Sequence, residues 1–462
     1  MTRTKTDHVA QSFASGFAGL VVTPEDPGYD AARALWNSSI DARPALIARC
    51  GTTEDIVTAV KLTRAAGVPL AVRGGGHSVA GLSTCNDGVV IDLSPMRRVD
   101  VQADRRTATV QPGATWSDLD AATAAHGLAT TGGLISTTGV AGLTLGGGIG
   151  WLQRRYGLAC DNLKAADVVT ADGDVVSVSE TKRPDLLWGL RGGGGNFGIV
   201  SRFEFALHPV ETILGGLLLF PFERGKEVLT VFRDWAADAP DEASMLAAVM
   251  TAPPEPFVPP ALVGRKAIAL LGCWCGDLDA GARATEPLRA LSPSVDLFGP
   301  MPYVALQGML DGGAAEGLRN YFRGGFLADL DDGVIDVALK YGARMPSSMS
   351  QIHFHQMGGA VAKVPADATA FSGRHAGYTY NVVSTWTEPA EDEMHIAANR
   401  DLASSLAAMS QGGAYVNFAG DTDVDRVRSL YGDEIYDRLA RLKREYDASN
   451  LFSRNQNIRP AR

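Results

Sequence analysis

Apolar positions change their spacing along the chain, and each change predicts a different kind of element. Ala45 to Cys50 is a short apolar run that reads as a strand. Thr53-Glu54-Asp55 then opens a helix from Ile56 to Ala66, with Ile56, Val57, Val60 and Leu62 on its apolar side and Gly67 as its stop. Pro69 to Val72 is again strand-like. Val89 to Leu93, Arg97 to Val101 and Thr107 to Gln111 follow as three strands, with a helix from Trp116 to His126 behind them. Val168 to Val178 places an Asp172-Gly173 turn between β-branched runs, which predicts a hairpin, and Ile199 to Leu207 predicts a further strand.

Beyond Val210 longer alternating runs take over: Leu217 to Phe220, Ala267 to Leu271, Gln351 to His355 and Tyr378 to Val383, with helices between them. That alternation predicts an antiparallel sheet with helices. Thr251 to Pro260 is proline-rich and predicts a loop within it. The fold class expected is therefore α+β, in two domains, since a chain of 462 residues exceeds what one core usually supports.

Two stretches break the patterning with glycine. Val72-Arg73-Gly74-Gly75-Gly76-His77-Ser78-Val79 leaves backbone N–H groups free to converge on an anion, with an imidazole at the end of the loop. The run from Thr131 to Gly150 is so rich in glycine that neither a good helix nor a good strand is expected there, and it forms a second cradle for a flat or phosphorylated ligand. A turn that simply carries a hydrogen-bonded histidine is the plain alternative for the first.

Charge and cysteine content narrow the classes. With 42 Lys and Arg against 52 Asp and Glu the net charge is −10, without a basic block, which argues against a nucleic-acid partner. Five cysteines make an odd set that does not describe a disulfide framework and fits a reducing compartment; with no apolar run long enough to span a bilayer and no leader-like start, a cytoplasmic location is expected. Gly193 to Gly198 matches GxGxxG literally, yet a strand follows where a nicotinamide site needs a helix, so that reading is set aside. Cys273-Trp274-Cys275 and His353-Phe354-His355 put like residues on one strand face without a third ligand type, and ordinary sheet positions are expected rather than a metal site.

Taken together, Arg73 to Ser78, the Gly132 to Gly150 run, Tyr156-Gly157-Leu158-Ala159-Cys160-Asp161-Asn162, Gly195 to Val200, Tyr415-Val416-Asn417-Phe418 and Gln456-Asn457-Ile458 strongly resemble the berberine-bridge-enzyme-like FAD-linked oxidases of the vanillyl-alcohol oxidase/PCMH superfamily. The resemblance implies a PCMH-type FAD-binding domain over residues 1–210, a substrate domain over 211–408 and a returning C-terminal segment over 409–462. It implies FAD held covalently by His77 at the flavin 8α-methyl and by Cys160 at C6, a buried unreactive thiol being the alternative for Cys160. It further implies a pyrophosphate loop of Arg73, Gly74, Gly75, Gly76, Ser78, Val79 and Gly81, and flavin contacts from Gly113, Gly133, Thr137, Thr138 and Gly142. Ile199 and Val200 would lie beside the adenine half, Asn417 and Asn457 would bind the cofactor from the C-terminal segment, and Val140 would sit over the flavin where a small residue goes with oxygen access.

Tyr415 matches the family's active-site tyrosine, which takes a hydroxyl proton as hydride leaves for the flavin. Phe418 stands where the motif often has a second tyrosine. Tyr378 and Tyr380, on one face of a substrate-domain strand, are the candidates to partner Tyr415. The activity implied is an oxidase acting on an alcohol-type carbon of a sugar, oligosaccharide or polycyclic compound, with O2 as acceptor. The alternatives are a dehydrogenase of the same fold passing electrons to a quinone or protein, and a flavin-tethering protein without turnover.

Overall fold

A computed structural model describes residues 3–420 and 424–462. The first half of the chain builds two sheets. In the smaller, strands Leu46–Arg49, Val89–Asp92 and Leu70–Arg73 pair in parallel, and Leu20–Val22 adds an antiparallel edge. The helix Thr53–Ala66 crosses between parallel strands. It is capped by Thr52, one residue ahead of the expected start, through a reciprocal box with Asp55, and Gly67 ends it in the left-handed conformation. The second sheet is antiparallel, in the order Val99–Gln102, Thr107–Val110, Ile199–Ala206, Leu163–Val169, Val175–Ser179. Its last pair is the Asp172-Gly173 hairpin, with Val169 opposite Val175.

Residues 212–386 build one large antiparallel sheet. Its strands run Val295–Asp296, Thr212–Pro221, Lys266–Trp274, Ala243–Thr251, Gln351–Gln356, Tyr378–Trp386, Arg319–Leu327, with Gly299–Pro302 also on Thr212–Pro221. Helices Gly225–Ala237, Asp332–Gly342 and Asp392–Ala407 cover one face; Leu229, Phe232, Val334, Ile335, Leu402 and Leu406 pack there against Leu218, Phe220, Ile352 and Phe354. The other face looks back toward the glycine loops.

The chain then returns to its first half. Ala414, Val416, Leu430, Tyr431, Leu439, Leu442 and Ile458 are buried in one cluster with Leu186, Trp188, Phe197 and Phe203. Lys443 anchors the return: its buried ammonium donates to Asn196 O, Phe452 O and the Asp447 carboxylate at 2.7–2.9 Å, which satisfies every donor it has.

One local expectation fails. Within the glycine-rich run, Val140–Leu145 forms a short helix. Packing overrides propensity here: Val140 N–H donates to Ala114 O, Val140 and Thr144 are buried in the core, and Gly139 is pressed against Gly75.

Candidate active site

A cavity of about 1260 Å³ lies between the glycine loops and the open face of the large sheet. It exceeds the roughly 300–1,000 Å³ of a site for one small ligand, leaving room for a cofactor and a substrate together.

On the glycine side its wall includes Gly74, Gly75, Gly76, His77, Ser78, Val79, Thr138, Gly142, Ile199, Val200 and, from the C-terminal segment, Tyr415 and Asn417. The two loops are held back to back: a Cβ on Gly75 would come within 2.5 Å of Gly139 N, so neither position accepts a side chain. Gly142, by contrast, faces open space. Backbone presented this way fits the diphosphate and flat ring of a dinucleotide, and the wall carries a histidine able to bond to it.

His77 is held from three directions. Thr137 Oγ1 lies 3.1 Å from Nε2, Thr138 Oγ1 lies 3.4 Å from Nδ1, and the Trp36 indole stacks on the ring at 5.0 Å between centroids. Burial pushes its pKa down to about 4, only partly opposed by the charge of Asp311, so the imidazole is neutral at physiological pH with one nitrogen lone pair available. Asp311 fixes the neighbouring loop by accepting from Ser136 N and Oγ at 2.8 and 2.6 Å.

Tyr415 is fully buried apart from its edge on the cavity. Its phenolic oxygen accepts from Asn417 Nδ2 at 2.8 Å, Gly148 N at 3.1 Å and Ile149 N at 3.3 Å. Burial pushes the phenol up to about 12 while these three donors pull the other way. Three N–H groups converging on one phenol oxygen suit a phenolate better than a neutral hydroxyl. Phe371 and Phe418 flank the ring.

Several expected site residues lie elsewhere. Cys160 is not on the cavity wall. Its thiol is fully buried with Ile149, Leu158, Met357 and Phe371, burial pushes its pKa well above the ordinary thiol value, and it sits 3.8 Å from Asp161, whose carboxylate is clamped by Arg374. The same buried cluster contains Ile149 and Tyr415, both of which line the cavity.

Ala141 and Gly142 line the cavity, and Val140 beside them packs in the core, because successive helix positions point in different directions. Tyr378 and Tyr380 do share a face, but it is the helix-covered one, where burial pushes both phenols up and Tyr378 packs against Phe232; they cannot partner Tyr415.

Arg73 is also off the wall, pairing with Asp92 at 2.8 Å and reaching Ala32 O. Gly81, Gly113, Gly133 and Asn457 lie behind it too; a Cβ on Gly113 would overlap Leu93 O, which makes that glycine a packing requirement. Conversely, Trp36 lay in a segment without a sequence signal, and His353, His355 and Asn381 reach the cavity from positions that read as plain strand.

Residues 44–179 match the family described as FAD binding domain, and residues 414–459 match the one described as berberine and berberine like. The FAD-linked oxidoreductase YgaK of Bacillus subtilis is 31% identical over 452 residues, which cover 96% of this chain and 97% of that protein. This chain is a berberine-bridge-like FAD-linked oxidoreductase. The enzyme is also 30% identical, over 96% of its own length and 97% of the relative's, to (R)-6-hydroxynicotine oxidase of Paenarthrobacter nicotinovorans. Among solved structures, the glucooligosaccharide oxidase of Acremonium strictum, described with a 6-S-cysteinyl, 8α-N1-histidyl FAD, shares the oxidoreductase's fold with a TM-score of 0.86, at 24% identity and 99% coverage of both chains. The mixed helix and sheet architecture is thus that of the PCMH-type oxidases. Among the described residues no helix is long and apolar enough to cross a membrane, and no three His, Cys, Asp or Glu side chains group to hold a metal.

Proposed function

We propose that the enzyme is an oxidase that removes hydride from an alcohol-type carbon, with FAD tethered through His77 and Cys160 and O2 as the final acceptor. Residues 1–210 and 409–462 would form the FAD-binding unit and 211–408 the substrate unit. The observation that carries this reading is the single cavity running from His77 to the donor-ringed oxygen of Tyr415.

When bound, the flavin supplies the two-electron acceptor and its reoxidation by O2. The chain's own part is positioning and proton handling. His77, neutral and fixed by Thr137, Thr138 and Trp36, offers the nucleophilic nitrogen for the tether. Tyr415 takes the hydroxyl proton of the substrate; Gly148 N, Ile149 N and Asn417 Nδ2 stabilise the phenolate that does so. Asn417 in turn is held by its Nδ2 to Leu143 O at 3.0 Å, which fixes the ring's outer edge to the short helix below the cavity.

The test is an absorbance spectrum of the purified protein before and after acid precipitation, followed by anaerobic addition of alcohols and measurement of hydrogen peroxide per turnover in air. Yellow colour that stays with the pellet, bleaching by an alcohol and stoichiometric peroxide are expected. Colour that leaves with the supernatant removes the tether; bleaching without peroxide points instead to a dehydrogenase with another acceptor.

A further inference from the structure

The large sheet turns one face to the cavity, and the chemistry of that face changes abruptly across its middle. On the strands Thr212–Pro221, Lys266–Trp274 and Ala243–Thr251 the cavity-facing positions are Leu217, Leu219, Leu271, Leu246 and Ala248. On the next two strands they become Gln351, His353, His355, Asn381 and Thr385, with Val383 the one apolar position among them. The boundary falls between directly paired residues, Leu246 opposite His355 and Ala248 opposite His353.

The polar half is partly self-satisfied and partly open. His353 Nε2 is engaged by Gln351 Oε1 at 2.7 Å. Asn320, further along the wall, uses its oxygen for Thr385 Oγ1 and its amide for Leu318 O. His355 and Asn381 differ: they are 5% and 2% exposed, and His355 Nε2 and Asn381 Oδ1 have no partner in the protein. Since Asn381 is paired with His353, these two lie diagonally across neighbouring strands, close enough for one ligand group to meet both. Those two atoms are themselves shut off from solvent, and the residues meet the cavity as part of its lining.

That patch borders the reacting end of the site. The ring of His355 is 5.5 Å from Phe418, and Phe418 is 4.8 Å from Tyr415. Charge is scarce: among the described residues lining the cavity only Glu255 and Arg454 carry a formal charge. Arg454 is turned to Thr84 O and Glu255 is on the exposed loop after Thr251. Burial also keeps the two histidines neutral.

We infer that the substrate is an uncharged, mainly apolar ring compound with one hydrogen-bonding end, its polar end on His355 and Asn381 and its hydrocarbon against the leucine half of the sheet. An oligosaccharide would bury many hydroxyls against Leu217, Leu219, Leu246 and Leu271 without partners, and a carboxylate or ammonium would lack a counter-charge. The inference rests on the proposed reaction only for which end of the molecule reacts.

The holoenzyme is tested with three probes: 2-naphthalenemethanol, cellobiose and 2-naphthoate. Binding is read as a rise in the thermal unfolding midpoint and as a shift of the flavin spectrum. Naphthalenemethanol should bind more tightly than the other two by at least about tenfold, and His355→Leu and Asn381→Leu should each weaken it about tenfold or more. The unfolding midpoint of each ligand-free variant shows that it is folded. Equal or tighter binding of cellobiose or naphthoate, unchanged binding in both variants, or no binding of any probe overturns the inference. Binding without flavin bleaching upholds this substrate class and counts against alcohol oxidation, so the two ideas fail separately.

Discussion

The indole of Trp36 lies nearly parallel to the imidazole of His77, 15° from coplanar, while its own Nε1 donates to Ala314 O at 2.7 Å. The tryptophan thus fixes the ring plane of the histidine from a segment that also touches residues of the large-sheet half. Such a pair is worth roughly 0.5–1.5 kcal/mol, so Trp36→Ala should slow covalent attachment of FAD to apoprotein about fivefold without abolishing it. His77→Ala together with Cys160→Ser should release all colour on acid precipitation. An unchanged attachment rate in the tryptophan variant would show that the stack does not orient the ring.

Tyr415→Phe removes the proposed proton acceptor but keeps the packing between Phe371 and Phe418. The expected loss in kcat/KM is about 10²–10⁴-fold with flavin content unchanged. Because the phenol is pushed up to about 12, the active phenolate is a minor form at neutral pH. Its fraction, and with it kcat/KM, should climb with pH through the alkaline range without a plateau below about pH 10, and the phenylalanine variant should flatten that slope.

Half of this arrangement could be read from the residues alone. Both glycine loops with His77, the Asp172-Gly173 hairpin and the antiparallel second half follow from local chemistry and spacing, because turns, caps and period-two alternation are local; Tyr415 is singled out only by the family resemblance. What was not legible is which way a face points. Tyr378 and Tyr380 alternate correctly, yet whether their side of the strand meets helices or the cavity is decided by the partner layer. Trp36 reaches His77 only through the tertiary fold.

Cys160→Ser tests the second tether. In the unmodified enzyme one flavin should join the peptides containing His77 and Cys160, whereas the variant should carry its flavin on the His77 peptide alone. Absence of flavin mass from the Cys160 peptide of the unmodified enzyme would remove the second bond.

Arg374, 1% exposed, clamps Asp161 with two bonds of 2.7 and 2.5 Å. Arg374→Met strands a buried carboxylate beside the cysteine and should destabilise the fold by about 3–5 kcal/mol in denaturant titration. Changing Asp161→Asn in the same chain should recover part of that loss, since no unpaired charge then remains.

Asp120 is buried between the helices Trp116–Ala124 and Tyr303–Gln307, with Gln307 Nε2 donating to one oxygen at 2.9 Å and the other oxygen unpartnered. Burial pushes it up to about 7 from 3.8. Between those values the folded protein keeps a proton that the unfolded chain has released, so this group makes stability fall as pH rises through that window and leaves it lowered above about pH 7. Asp120→Asn should therefore raise the unfolding midpoint more at about pH 8 than at about pH 5. An equal rise at both would mean that the folded carboxyl is already ionised at about pH 5, as it is in the unfolded chain.

The return of the chain to its starting half has a temporal side. The cradle and its histidine leave the ribosome well before Tyr415 and the Lys443 anchor. Because Ala414, Val416, Leu430 and Leu439 complete the core that backs the first half, the pocket around the cradle is finished only once that later segment has followed.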